Sequence, residues 1–392
     1  MSYLSGLIND LRKRVSVTSR LEDSGSRDLP VVFEETPSRH VEITSREFIK
    51  TLNVKPLRPQ GELYALDSSS RVVETPYLFL GIGAGSIFSR FTGRGIDVPS
   101  PSSLLGLEKP LCRHVLLIPG IEVSEQEWLL LDMPGVMTKN PLGKPYTSSY
   151  NKQLALGELR LSLENCILSI FNSSNLAVSN NILLVDGPLI YPKIRVFEHI
   201  EEAQVVKTIY SESIEYLNKE RVEVLREIMN RGVLVAGVVK RLMRSYYLSS
   251  IDPFGIAMGL VSDETYLYTL INTRNPEPGK PVVVGPIRVK HEIPNAPRIM
   301  WYLAIPRRLH PVPGRMGNYL VFRVEVFESS EWSENDILGY IVYDSLYMGG
   351  LLPLSILITD KRVKKITSSI TSYLLYTTGL SEESTSQYIS VL

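Results

Sequence analysis

Short apolar runs that stop abruptly at turn residues mark out the first two thirds of the chain. "ELYALD" (62–67), "TPYLFLGIGAGSIF" (75–88) and "CRHVLLIPGIEV" (112–123) predict three successive strands. A Pro-, Gly- and Ser-rich insertion, "GRGIDVPSPSSLLGLEKP", separates the second from the third. The period then changes. Leu154, Leu161, Ile167 and Ile170 recur at near-helical spacing in "NKQLALGELRLSLENCILSIF", and "NSSN" closes that helix. A buried strand, "NILLVD", follows. A long helix from about 202 to 230 carries Ile214, Leu217, Leu225 and Ile228 on one face, with Gly232 past its end. "VLVAGVVKR" is a further buried strand ending at Lys240.

In the last third, "TYLYTLI", "PVVVGPI", "RIMWYLAI" and "YLVFRVEVF" read as strands. Two helices, "DKRVKKITSSITSYLLY" and "SEESTSQYISVL", end the chain. At the other end, an amphipathic helix, "YLSGLINDLRKR", a polar stretch and a second helix at "SREFIKTL" make residues 1–60 an N-terminal arm for packing or oligomer contacts. Residues 61–392 form the main domain. Three strands, a helix, a strand, a helix and a strand give an α/β fold, a mixed sheet flanked by helices. That order fits a ribonuclease H-like plan better than a doubly wound one.

Composition narrows the class without choosing a function. The 392 residues are 44% apolar and 21% charged, with 42 basic and 42 acidic side chains, as in a folded protein and unlike a polyelectrolyte. A neutral total can still conceal a basic groove beside an acidic site. Two cysteines, Cys112 and Cys166, with no CxxC pair, argue against a disulfide scaffold or a cysteine zinc site and for a reducing compartment. No apolar run is long enough to span a bilayer, and the N-terminus lacks a signal-peptide core, which predicts a cytoplasmic protein with no membrane partner.

Two predicted strands end on an aspartate, Asp67 and Asp186. If those strands are neighbours, both carboxylates emerge at one sheet end, and Glu164 on the intervening helix can lean over the same spot. Three carboxylates in a small site repel one another enough to protonate one unless a cation joins them. Oxygen-only donors suit Mg²⁺ or Mn²⁺, the usual equipment for phosphodiester hydrolysis. Each residue also has a plainer role available. A strand-end aspartate before Ser or Gly is often a turn or cap residue, and Glu158 competes with Glu164 for the inward position. Lys240 either snorkels to solvent or holds a phosphate. Arg307, Arg308, His310 and Arg315 in "IPRRLHPVPGR" are a phosphate-contacting hairpin tip or a solvated basic turn. "GIGAGS" is no P-loop, since GxxxxGK[ST] is absent, and Gly81, Gly83 and Gly85 read as turn or bulge glycines. Neither paired histidines nor GxSxG occurs, so zinc protease and serine hydrolase chemistry have no support.

Taken in order, "YALDSSSR", "RLSLE", "LLVDGPL", "VAGVVKR", "VFRVEV" and "LLPLSILITDKRVKKI" resemble the motifs of the NurA family over roughly residues 60–366. These nucleases work with the HerA hexameric ATPase translocase in DNA-end processing. The resemblance implies a ribonuclease H-like fold, a homodimer, and a Mn²⁺-dependent nuclease acting on single-stranded DNA and on duplex ends from the 5′ side, in end resection and recombinational repair. It places the acidic motifs on Asp67, Glu164 and Asp186 and the lysine motif on Lys240. The last motif departs from the family. Its histidine position is Asp360, and no tyrosine stands at the expected spacing. The expected site is therefore Asp67, Glu164, Asp186 and Asp360 around one or two Mn²⁺ ions, with Mg²⁺ as an alternative and Lys240 on the phosphate. A dimeric adaptor that binds DNA or the translocase and has lost catalysis is the other reading of that altered motif.

Overall fold

The computed structural model describes residues 32–33, 41–45, 47–75, 78–120, 133–192, 194–195, 201–274, 277, 279–290, 295–307, 319–347 and 349–378. The expected helices at 3–14 and 381–392, and Arg308, His310 and Arg315, lie outside them.

One mixed sheet organises the described chain. The parallel trio at its middle is β4 (Leu63–Thr75), β9 (Ile182–Asp186) and β11 (Leu234–Val239), with β9 between the other two. On one side β4 pairs antiparallel with β5 (Leu78–Phe88), which is followed by β7 (Val115–Pro119) and β8 (Val136–Met137). On the other, β11 pairs antiparallel with β14 (Tyr319–Phe327), then β13 (Arg298–Pro306) and β12 (Val282–Val289). Two short strands, β2 (Val41–Ile43) and β3 (Ile49–Thr51), pair with β12, and β6 (Gly95–Val98) pairs with β5, making 12 strands. A separate ribbon joins β1 (Val32–Phe33) to β10 (Ile194–Arg195).

Side chains alternate across the sheet, so each strand feeds two cores. Tyr64, Leu66, Leu183, Val185, Val233 and Val235 face α2 (Lys152–Ser173) and α3 (Glu201–Asn230). A short helix, α1 (Pro101–Leu104), lies in the insertion. Farther along the same face, α4 (Tyr247–Ile251) and α5 (Asp263–Arg274) cover β12 and β13. Leu63, Ala65, Ile182, Leu184, Ala236 and Val238 point the other way, toward α6 (Glu334–Val342) and the start of α7 (Leu354–Thr378). The result is a helix–sheet–helix sandwich.

Five expectations need correction. Residues 45–52 are not a helix; Ile49–Thr51 is an edge strand completing the β12 ladder. "TYLYTLI" is helical, because Tyr266, Leu267, Leu270 and Ile271 are the buried positions, a 3.6-residue period and not an alternation. Gly81, Gly83 and Gly85 are interior strand residues, and a Cβ on Gly81 would come 2.9 Å from Leu156, one on Gly85 2.3 Å from Ile167. They exist so that α2 can lie directly on β5. The strand carrying Asp67 does not stop there but continues to Thr75, since Ser68, Ser69 and Ser70 keep pairing with β5. Finally, Cys112 and Cys166 form a disulfide, tying α2 to the segment entering β7. They lie 54 positions apart in sequence, so only the packing of helix on sheet brings them together. Among the described residues no helix is long and apolar enough to cross a membrane.

Candidate metal centre

Register places the first two carboxylates. Leu66 of β4 is aligned with Val185 of β9, so the next position on each strand, Asp67 and Asp186, falls side by side. Both share the face of Ala65 and Leu184, which α7 covers. Gly187, at φ +124, turns the chain immediately after Asp186 and donates its N–H to the Val238 carbonyl at 3.0 Å. Only a residue without a Cβ takes that conformation readily, which is why the strand delivers its carboxylate and stops. Two residues beyond Val238, Lys240 comes up on the same face and bonds Asp186 Oδ2 at 2.5 Å.

Asp360 completes the group from above the sheet. It lies between buried Ile356 and Val363, four residues after one and three before the other, hence on the inward stripe of α7. The helix entry is pinned by Asp344, which accepts Arg90 Nε and Nη2 at 3.0 and 2.8 Å and the Ser355 N–H at 2.9 Å. Downstream, Arg362 holds Asp97 of β6 through two hydrogen bonds. Asp67, Asp186 and Asp360 each present a carboxylate oxygen within 4.8 Å of the other two.

Glu164 is not in that group. Ser68, next along β4, points to the opposite face and donates to Glu164 Oε1 at 2.5 Å. Glu164 is 1% exposed, paired with Arg221 Nη1 of α3 at 3.0 Å, and accepts from the Tyr191 hydroxyl at 3.2 Å. Glu158 is buried too, but holds the Tyr146 and Tyr150 hydroxyls, each at 2.7 Å. Burial pushes the Glu158 carboxyl up to about 7, against the pull of those hydroxyls. Arg307 is exposed at the end of β13, where the strand leaves the sheet.

The electrostatics are those of crowded acids. Burial, then the charges of Asp186 and Glu164, push Asp67 up to about 8. Burial also raises Asp186, opposed by Lys240. In Asp360 burial acts upward as well, but the Lys364 ammonium at 2.8 Å, with Lys240, holds the carboxyl below its ordinary range. A contact with the Asp67 carboxyl acts in the same direction. A divalent ion does the same work better. Three carboxylate oxygens brought together from three elements are the hard, oxygen-only donor set that would hold Mg²⁺ or Mn²⁺.

The NurA domain model matches residues 61–364. The chain belongs to the NurA family. No curated protein matches it. Among solved structures, the NurA nuclease from Sulfolobus solfataricus is 12% identical, covering 95% of each chain with a TM-score of 0.44. A NurA bound to dAMP and manganese is 10% identical over 79% of this chain and 86% of its own, TM-score 0.36. A NurA with manganese is also 10% identical, over 92% of this chain and 93% of its own, TM-score 0.36. In this NurA chain Asp360, expected from the last motif, stands beside the other two acids.

Proposed function

We propose that this NurA protein is a metal-dependent deoxyribonuclease, and that its chemistry is carried out at Asp67, Asp186 and Asp360. One observation carries the reading: three carboxylates from three separate elements converge within 4.8 Å. Oxygen donors alone favour Mn²⁺ or Mg²⁺ over Zn²⁺. These carboxylates would hold the ion, which would supply positive charge beside the phosphodiester and lower the pKa of a nearby water. The remaining work belongs to the chain. Lys240, one quarter exposed and already anchored on Asp186, is placed to hold a nonbridging phosphate oxygen beside the acids. Glu164 acts as a positioning residue: it fixes Ser68, whose own N–H donates to Asp67 Oδ1 at 2.7 Å and sets that carboxylate's direction.

The finer reading follows from family membership and the residue pattern together. The sheet order around β4, β9 and β11 supports a ribonuclease H-like core in residues 61–392, with the first 60 residues as an arm adding edge strands or dimer contacts. The activity is a 5′-to-3′ exonuclease and single-strand endonuclease on DNA, working as a homodimer with a HerA-type hexameric ATPase in end resection, inside the cytoplasm. The placement of Asp360 favours this over the adaptor reading, because the altered motif still brings an oxygen donor to the acids.

Pure protein incubated with end-labelled linear DNA should degrade it in Mn²⁺, stop in a chelator, and lose at least a hundredfold of the rate in Asp186→Ala. Degradation that survives Asp186→Ala would put the chemistry elsewhere.

A further inference from the structure

Beside the start of α7, away from the acids, four flat groups are piled on one another. The Arg90 guanidinium lies 4.0 Å from the centre of the Phe91 ring. Phe91 stacks on Tyr343, with centroids 6.4 Å apart and planes 25° apart. Tyr343 stacks on Tyr347, at 5.2 Å and 19°. These are offset-stacked geometries. Phe91 comes from the turn after β5, and the two tyrosines from a widened helical turn, Tyr343–Tyr347, between α6 and α7. The stack ends in the open: Tyr347 is 65% exposed and Phe91 44%.

Exposed aromatic rings on a folded surface are a cost unless something covers them. Two features say what does. The stack is fixed to the metal centre, because Asp344, between the two tyrosines, binds both Arg90 and the Ser355 N–H at the start of the helix that carries Asp360. From Ser355 to Asp360 is five residues, roughly 7.5 Å along the axis. Past Asp360 that helix exposes Lys361 and Lys365, with Lys364 between them held on Asp360 at 2.8 Å. A stacking face followed by a phosphodiester-cleaving site and then a row of ammonium groups is the layout of a single-strand track, bases on the rings and phosphates on the lysines.

We propose that Phe91, Tyr343 and Tyr347 form a base-stacking platform for single-stranded DNA, with an unpaired base lying on the outer face of Tyr347. It rests on the nuclease reading for the identity of the strand, but its own readout is binding without cleavage. Duplex has no free base face to offer, so the platform selects single strands, or the unpaired end of a duplex, and holds the strand a few nucleotides from the acids.

The test is binding of a single-stranded oligodeoxynucleotide containing 2-aminopurine, in chelator, to the full chain and to Tyr347→Ala and Tyr347→Trp. Stacking quenches 2-aminopurine. Wild type and Tyr347→Trp should quench it and bind with similar affinity. Tyr347→Ala should lose the quenching and bind about tenfold more weakly, with duplex binding and thermal midpoint unchanged. Equal quenching and affinity in wild type and Tyr347→Ala would overturn the platform, even if Mn²⁺-dependent cleavage is intact. A change of oligomeric state in Tyr347→Ala with no change in DNA affinity would also overturn it, assigning the rings to a subunit contact. Tyr347-dependent quenching in a protein that never cleaves DNA would sustain the platform and sink the nuclease reading alone.

Discussion

Asp67 holds its proton up to about pH 8 because it is buried beside Asp186 and Glu164. Unfolded, an aspartate releases its proton near pH 4. Between those values the folded chain binds the proton and the unfolded chain does not, so the metal-free protein loses stability as pH rises from about 4 to about 8. Calorimetry of the chelated protein should show the midpoint falling through that window, and Asp67→Asn should flatten the slope. Mn²⁺ should restore most stability at the top of the window, since it displaces the proton. Arg221 supplies the second residue-scale test. It is fully buried against Glu164 at 3.0 Å, and Arg221→Met strands that carboxylate, costing about 3–5 kcal/mol in a denaturant melt. Legibility differed among these residues for physical reasons. Asp186 shows itself in sequence through "VDG", because a strand stop with a left-handed glycine has a local signature. Asp360 has none, being one polar residue on an amphipathic helix, and only the family motif points to it. Glu164 is visible as an inward acid, yet the face of the sheet it serves depends on strand parity, which residue spacing does not give.

Elements place these residues, and strand parity does most of it. Asp67, Asp186 and Lys240 share one face because β4, β9 and β11 run parallel in a common register. Where β11 passes the end of β9 the backbones nearly touch. A Cβ on Gly237 would sit 2.9 Å from the Gly187 carbonyl and 2.9 Å from the Glu325 side chain. Gly237→Ala should therefore push the turn after Asp186, costing about 1–3 kcal/mol and weakening Mn²⁺ binding, both measurable on one preparation. The core strands were legible from their unbroken apolar runs. The helix at Asp263–Arg274 was not, because its tyrosines and threonines favour strands, although the Ser262 hydroxyl caps it by accepting the Thr265 N–H and acids fill the first turn. The capping box of Ser333 and Asp336 likewise announces α6, a helix that its apolar, strand-like sequence conceals.

At the scale of the whole molecule, the sheet separates two jobs. On one face α2 and α3 lock Glu164 and the underside of β4; on the other α7 brings Asp360 down to the acids and carries its lysines outward. The Cys112–Cys166 bond fastens the first of these layers by closing a loop across 54 residues. Reduction should lower unfolding stability by about 2–4 kcal/mol, read as a drop in midpoint. Neither cysteine's neighbourhood reveals this pairing, since its partners meet only when helix and sheet are assembled. The assignment of the metal centre turns on which carboxylates hold the ion. Titrating Mn²⁺ into the protein while following the free-ion paramagnetic resonance signal, for wild type, Asp360→Ala and Glu164→Gln, asks that directly. Saturable binding in wild type and in Glu164→Gln, lost in Asp360→Ala, is the predicted result. Binding that survives Asp360→Ala but vanishes in Glu164→Gln would contradict this assignment and move the metal to the other face of the sheet.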